Sequence, residues 1–238
     1  MIDFILVGDE KVQFGFQDGS YKLQSFNSKS NYFSDDWKTL VRTETQDHAP
    51  TNIFFQSGFS TLIPLDLFNP SLSSDVFNLN FGNLLPENHV SFDQIYGLNV
   101  ANIYNVPEWL NSFKTTIYPL VPLKHISSQF LNRIRHNAGN SIIVLLSDKL
   151  LTLSVWKENK LLHFNHYEVN GALDLVYYVL LQFKEWNGPF QPKIQFYYNN
   201  PTFSSIEIED NLKLVDEFQH TPIEHFTEHQ TLKTILCA

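Results

Sequence analysis

The amino-acid sequence predicts an α/β protein that contains two units of the same β-β-β-α-β order. Near the N-terminus, short segments that alternate apolar and polar residues are separated by turns containing glycine and aspartate, a pattern typical of antiparallel strands. A segment with helical spacing of apolar residues follows, and another short apolar segment comes after it. Because the same succession recurs in the second half of the chain, we expect a duplicated fold with a mixed sheet in each half.

The first unit is predicted from the pattern of residues 4–55. Its first three strands cover residues 4–7, 12–16 and 21–25, with turns at residues 8–11 and 17–20. Ser34 is placed to cap the next helix, whose apolar face contains Trp37, Leu40 and Val41. A further strand at residues 51–55 completes the unit.

The second unit repeats this order in the C-terminal half. Its strands are predicted at residues 142–146, 151–155, 161–166 and 193–198. The helix before the last of these strands has the clearest helical pattern in the sequence, with Asn170 placed to cap it and Asn187-Gly188-Pro189 to end it. Spacing at i, i+3, i+4, i+7 and i+8 predicts its apolar face as Leu173, Val176, Tyr177, Leu180 and Leu181.

The segment from about residue 64 to residue 139 separates the two patterns, and we interpret it as an insertion in the first unit plus a joining helix. Ile126, Phe130 and Ile134 share one face of that helix, which is expected to end at Asn137-Ala138-Gly139. The expected domains are therefore residues 1–139, a first lobe with an inserted segment, and residues 140–238, a second lobe.

The composition indicates a folded, acidic protein. Hydrophobic residues make up 43% of the 238 residues, which is enough to bury a core. The formal net charge of -9 repels phosphate backbones, so we expect no nucleic-acid partner. A single cysteine excludes an internal disulfide and fits a cytoplasmic location. The sequence has no signal-peptide pattern and no apolar stretch long enough to span a bilayer, so we expect no membrane insertion.

Three segments and the end of the chain carry a resemblance to a known family. They are FSTLIPLDLF at 59–68, LNVANIYNVP at 98–107 and LHFNHY at 162–167, followed by Asp174, Tyr177-Tyr178, Glu224-His225-Phe226 and Leu236-Cys237. In this order they resemble the Bacteroidetes family called domain of unknown function 3822, over nearly the whole chain. The resemblance implies a duplicated actin-like ATPase fold, which is ribonuclease H-like and akin to bacterial division and pilus-assembly components. It implies no particular activity.

An actin-like ATPase needs two turns that hold the nucleotide phosphates, and neither predicted turn fits that role. Such turns use an acid for the metal and glycines that let backbone N–H groups approach the phosphates. The first turn reads Gly8-Asp9-Glu10-Lys11, with the acid after the glycine, and the second reads Ser147-Asp148-Lys149, with no glycine. The strand at residues 195–199 also lacks the Gly-Gly pair that accommodates adenosine. We therefore expect no ATP hydrolysis, no catalytic residues and no cofactor.

One short motif near the C-terminus has the spacing of a zinc site. His225-Phe226-Thr227-Glu228-His229 fits H-x-x-E-H, in which two histidines on one helical face bind zinc beside a glutamate base. The third ligand of that class lies well downstream, and little sequence follows His229 here. A polar terminal segment is the better interpretation, and we expect no stoichiometric metal.

The leading functional hypothesis is a non-catalytic protein that binds an unidentified cytosolic protein. The cleft between the two lobes, or aromatic surface around Trp109, Trp156 and Trp186, would be the contact region, although each tryptophan also fits a core position. A diverged nucleotide-binding ATPase and a small-molecule sensor with an apolar pocket between the halves stay open as alternatives. The sequence does not fix the oligomeric state.

Overall fold

The structure is a computed structural model that describes residues 2–8, 11–16, 20–25, 35–45, 48–82, 89–186 and 192–236. The chain folds into two compact units, Met1–Gln129 and Phe130–Ala238. Each unit contains a mixed five-stranded sheet, so the predicted duplicated α/β fold is confirmed. The expected domain boundary after Gly139 lies further along the chain than this division and stays a prediction.

The described strands of the first unit are β1 (Ile2–Val7), β2 (Lys11–Phe16), β3 (Tyr21–Ser25), β4 (Asn52–Phe55), β5 (Ser60–Pro64), β6 (His89–Ile95), β7 (Val100–Val106) and β8 (Leu123–His125). The first unit is built on a sheet of five of them, in the order β3-β2-β1-β4-β8. Its helices are α1 (Asp35–Thr45), α2 (Ser73–Phe81), α3 (Glu108–Ile117) and the first part of α4 (Ile126–Ile134). Strand β1 is antiparallel to β2 and parallel to β4, and β4 is parallel to β8. The meander, helix and parallel strand therefore follow in the predicted order.

The pairing of β1 with β2 includes one position where glycine is needed. A Cβ atom on Gly15 would lie 2.0 Å from the ring of Phe4, its partner across the two strands. The aromatic ring therefore covers the bare backbone of β2 and is itself buried. A larger residue at position 15 would displace Phe4 from the sheet.

The expected insertion is a small subdomain between β4 and β8. Strands β5, β7 and β6 form an antiparallel sheet in that order, and α2 contacts all three strands. Short 3-10 helices connect these elements at Leu65–Leu67, Pro70–Leu72 and Tyr96–Leu98. Tyr104 and Val106 of β7 pack into the core of the first unit, so the inserted sheet is fixed to it by buried contacts.

The described strands of the second unit are β9 (Ser141–Asp148), β10 (Leu150–Lys157), β11 (Lys160–Glu168), β12 (Lys193–Pro201) and β13 (Ile223–Phe226). The second unit has the sheet order β11-β10-β9-β12-β13, which repeats the order of the first. Its helices are α5 (Ala172–Trp186), α6 (Ser205–Lys213) and α7 (Glu228–Leu236), with a 3-10 turn at Asp216–Phe218. Strand β9 is antiparallel to β10 and parallel to β12, which is parallel to β13. Within the described ranges, no helix is long and apolar enough to cross a membrane.

Helices α5 and α6 cover one face of the second sheet and fill its core. The α5 side chains that contribute most to this core are Leu175, Val176, Val179 and Phe183, and α6 adds Ile208 and Leu212. The predicted apolar face of α5 is therefore wrong for Leu173, Tyr177 and Leu181, which are exposed. Leu175, Val179 and Phe183 repeat every four positions, and so do Leu173, Tyr177 and Leu181. Because the helix is apolar around most of its circumference, spacing alone does not decide which of these two faces is buried.

Candidate functional site

The turn between β9 and β10 is the second of the two turns considered for phosphate binding. Asp148 lies there with a φ of 54°, a left-handed conformation that aspartate tolerates better than most residues. Its carboxylate accepts a hydrogen bond from the Thr202 hydroxyl at 2.9 Å, and its carbonyl accepts one from the Thr202 backbone N–H at 3.3 Å. The acid of this turn is therefore bound to the segment that follows β12.

A second side-chain contact joins the same turn to β12. Asn199 donates a buried hydrogen bond from Nδ2 to the Ser147 hydroxyl at 3.0 Å. Side chains of the chain itself thus occupy the surroundings of Ser147 and Asp148. In the first turn, Gly8 is described, but Asp9 and Glu10 lie outside the described residues.

The strand where an ATPase of this fold would accommodate adenosine carries large aromatic side chains instead of glycine. Tyr197 of β12 stacks on Phe226 of β13 with ring centroids 4.3 Å apart, and Phe196 stacks on His225 at 5.2 Å. Burial, with the nearby Glu224 carboxylate as a second cause, raises the pKa of Tyr197 to about 12. The aromatic rings of β12 therefore pack against rings of the neighbouring strand β13 at this side of the sheet.

The zinc-like motif does not lie on one helix. His225 is in strand β13, whereas Glu228 and His229 begin α7 after a break at Thr227. The Nδ1 atom of His225 and the Tyr198 hydroxyl are hydrogen-bonded at 2.6 Å, and burial lowers the pKa of this imidazole. Among the described residues, no group of three or more His, Cys, Asp or Glu side chains is arranged to hold a metal ion.

The tryptophans considered as contact surface lie in or against the core. Trp156 is fully buried and donates a hydrogen bond to the Ser154 hydroxyl at 2.9 Å. Trp109 and Trp186 are half-buried and pack against the cores of the first and second units respectively. Trp156 is therefore not accessible as a contact surface, and the core interpretation of all three residues fits the packing.

A largely buried polar network, in which Asp93 is half-buried, connects the inserted sheet to β8. Asp93 of β6 accepts a hydrogen bond from the backbone N–H of His125 at 2.8 Å and one from the Tyr104 hydroxyl at 3.2 Å. In the described part of the first sheet, β8 is the terminal strand, so its outer backbone groups have no strand beside them. The Asp93 carboxylate supplies an acceptor at that open edge. Burial raises the pKa of Asp93 and raises that of Tyr104 well above its ordinary value.

His125 has its imidazole fully buried in the same network. Its Nδ1 atom accepts the backbone N–H of Ser127 at 3.2 Å, and its Nε2 atom lies 3.1 Å from the carbonyl oxygen and 3.3 Å from the backbone nitrogen of Ser57. Burial lowers the pKa of His125 to about 4. Nearby, Asn102 donates to the Ser128 hydroxyl at 2.9 Å. His125, Tyr104 and Asn102 are buried and Asp93 is half-buried, and their hydrogen bonds hold the insertion to β8 and α4. The sequence analysis had not identified this network.

Three exposed apolar side chains form a row along α5 in the second unit. Leu173, Tyr177 and Leu181 are 67%, 60% and 46% exposed, one helical turn apart on one side of the helix. We call these three residues the α5 ridge. A contiguous exposed apolar surface of this kind is characteristic of interaction sites.

The central ring of the α5 ridge is held by its neighbours. Tyr177 meets Tyr178 edge to face with centroids 5.3 Å apart, and Tyr178 stacks on Tyr167 of β11 at 4.0 Å. Tyr178 and Tyr167 pack in turn against the core of the second unit. Tyr177 is therefore exposed but braced by its neighbours, so its side chain loses little conformational entropy when a partner binds. Only the unusually apolar character of the whole helix signals this feature in the sequence.

The duplicated sheet order defines the chain as a protein with the actin-like ATPase fold, and solved structures agree with this assignment. One similar structure is a protein with this fold and unknown function from Bacteroides thetaiotaomicron VPI-5482, with a TM-score of 0.77, 16% sequence identity, and coverage of 99% of this chain and 95% of that chain. The chain belongs to the family described as Protein of unknown function (DUF3822), whose sequence profile matches residues 3–187. No curated protein matches the sequence.

Two further structures have the same fold at lower similarity. The PilM-PilN type IV pilus biogenesis complex matches with a TM-score of 0.56 and 7% identity, covering 95% of this chain and 88% of that chain. The cytoplasmic domain of EpsL, an inner membrane component of the type II secretion system of Vibrio cholerae, matches with a TM-score of 0.52 and 10% identity, covering 97% and 91%. At these identities the similarity establishes the fold and no activity.

Proposed function

We propose that this chain is a non-catalytic protein of the actin-like fold that acts by binding another protein in the cytoplasm. The observation that carries the proposal is the α5 ridge, three exposed apolar side chains on a helix whose opposite side fills the core. Apolar side chains that face water forgo the favourable free energy of burial, and a protein partner that covers them would provide it. The cytoplasmic location expected from the single cysteine belongs to the same proposal.

The state of the second turn supports a non-catalytic role. Phosphate binding requires donors that approach the ligand closely, whereas here the turn carries the Asp148 carboxylate and is bonded to Thr202 and Asn199. Opening these contacts would leave polar groups without partners, including the buried amide of Asn199. A nucleotide would also approach a protein with a net charge of -9.

A related fold in a binary complex is consistent with this role. PilM has been solved together with PilN, so a protein with this fold does bind a second protein. The likeness is one of fold, and it does not indicate where on this chain a partner would lie. The α5 ridge is chosen from its own exposure and packing.

The proposal is tested by affinity purification of the full chain from its native cells, followed by quantitative mass spectrometry. The wild type is compared with a ridge variant, Leu173→Ser with Tyr177→Ala and Leu181→Ser. Leu79→Ser is the matched control, because Leu79 is also an exposed apolar residue on a helix, with 86% of its surface accessible. We expect one protein to be enriched on the wild type and the control and lost from the ridge variant. A complete lack of enriched proteins would contradict the proposal.

The rival ATPase hypothesis is tested on the same purified protein. Isothermal titration of Mg-ATP into the full chain should give no binding heat at concentrations where active relatives of this fold are saturated. Micromolar binding that is abolished by Asp148→Ala would make a nucleotide-dependent enzyme the better hypothesis. Native mass spectrometry of the purified chain addresses the sensor alternative, because a small ligand that survives purification adds a defined mass.

A further inference from the structure

The surface around the α5 ridge is strongly acidic. Helices α5 and α6 and the 3-10 turn that follows carry seven carboxylates against two lysines, a formal net charge of -5. The carboxylates are Asp174, Glu185, Glu207, Glu209, Asp210, Asp216 and Glu217, and all seven are exposed. More than half of the chain's net charge of -9 is thus concentrated on these three segments.

Both lysines of this surface are already neutralised by carboxylates. Lys184 pairs with Glu217 at 2.8 Å, and Lys213 pairs with Glu209 at 3.3 Å and with Asp210 at 3.4 Å. On α5 itself, Asp174 directly follows Leu173, and Glu185 lies one turn after Leu181. The two carboxylates therefore flank the ridge near its two ends. A partner that covers the ridge therefore meets an apolar centre with negative charge beside it.

This charge decides among possible occupants of the α5 ridge. A second copy of the chain would bring the same acidic surface against itself, and like charges brought together at an interface oppose association. An anionic membrane surface or a nucleic acid is repelled for the same reason. A partner with positive charge around an apolar centre gains from both features.

The shape of the ridge favours a helix as the partner. Side chains four positions apart form a continuous ridge along α5, and such ridges pack into the grooves of a facing helix. The braced ring of Tyr177 lies at the centre of the row, where tyrosine is a frequent source of binding energy in protein interfaces. Ile206 and Leu214, on and just after the adjacent helix α6, are also exposed apolar side chains.

Resting on the proposed function, we infer that the partner presents an amphipathic helix with lysine or arginine residues flanking its apolar face. The apolar face packs on the α5 ridge, and the basic residues face Asp174, Glu185 and the carboxylates of α6. Binding of this kind weakens with salt, since its charged rim is exposed to solvent.

The inference is tested with three synthetic peptides titrated into the full chain by fluorescence anisotropy. The first is an amphipathic helix of leucine and lysine, the second has glutamate in place of lysine, and the third has the composition of the first with its order scrambled. We expect the basic amphipathic peptide to bind at least about tenfold more tightly than either of the others. In the ridge variant its affinity should fall about tenfold, whereas Leu79→Ser should leave it unchanged. Circular dichroism and thermal unfolding of each variant check that the fold is intact.

The possible outcomes separate this inference from the proposed function. Equal binding of the basic and acidic peptides, or equal binding by the ridge variant and the wild type, overturns the inference while leaving partner capture from cells unaffected. A dimer seen by analytical ultracentrifugation and lost in the ridge variant also overturns it, in favour of self-association. Loss of every cellular partner, with peptide binding retained, would instead contradict the proposed function.

Discussion

In the first unit the exceptional side chains are polar and wholly or partly buried, whereas in the second they are apolar and exposed. Asp93 and His125 are enclosed between the inserted sheet and β8, and Leu173 and Tyr177 face solvent on α5. The sheets of the two units have the same strand order, so the fold does not dictate this difference. The inserted subdomain accounts for the first case, because it covers a sheet edge that needs polar partners. The exposed ridge has no such structural reason, which is why we assign it to binding.

The largest expected effect compares two leucines on the same helix. Leu175→Ala removes a fully buried side chain from the core of the second unit and should lower the free energy of unfolding by about 3 kcal/mol. Leu173→Ala alters only an exposed side chain and should change it by less than about 0.5 kcal/mol. Urea unfolding of both variants measures the difference. Similar losses in the two variants would mean that the ridge is part of the core.

The buried network of the first unit should be nearly as sensitive to substitution. Asp93→Ala leaves the His125 backbone N–H and the Tyr104 hydroxyl without their acceptor, and should cost about 3 kcal/mol in the free energy of unfolding. Asp93→Asn retains one carbonyl oxygen and is the matched control, with a smaller loss. An Asp93→Ala variant as stable as the wild type would show that the insertion does not depend on this network.

His125 should make the stability of the first unit depend on pH. The folded state holds the pKa of this ring at about 4, against an ordinary value of 6.5, so the unfolded chain binds the proton first as the pH falls. Stability is therefore lost from pH 6.5 downward, by about 2 kcal/mol between pH 7 and pH 5. Asp93 acts in the opposite direction, because its raised pKa favours the folded state at low pH and this contribution is lost as the pH rises through that pKa.

The variant His125→Gln isolates the histidine contribution. Glutamine retains a side chain that can hydrogen-bond to the Ser57 backbone but does not titrate, so unfolding free energies measured at pH 7, 6 and 5 should decline less steeply than in the wild type. Parallel pH profiles for the two proteins would contradict a buried neutral His125.

Much of the fold was predictable because strand alternation and turn residues are local signals. The meanders, the insertion and the buried face of Ile126, Phe130 and Ile134 follow from the sequence and are confirmed. The buried network was not predictable, since the partners of Asp93 come from β7, β8 and α4, and nothing local connects them. The exposed side of α5 was missed for a different reason. An apolar helix can place either of two faces on the sheet, and only the packing of the whole unit selects one.

The most direct test of the account places a photoreactive side chain on the ridge in living cells. Tyr177→p-benzoylphenylalanine is compared with Leu79→p-benzoylphenylalanine, which reports an exposed helix outside the second unit. We predict that irradiation joins position 177, and not position 79, to one protein, and that the attached peptide maps to a basic amphipathic helix. No adduct at position 177, or the same adducts from both positions, would contradict the claim that the α5 ridge is a specific protein-binding surface.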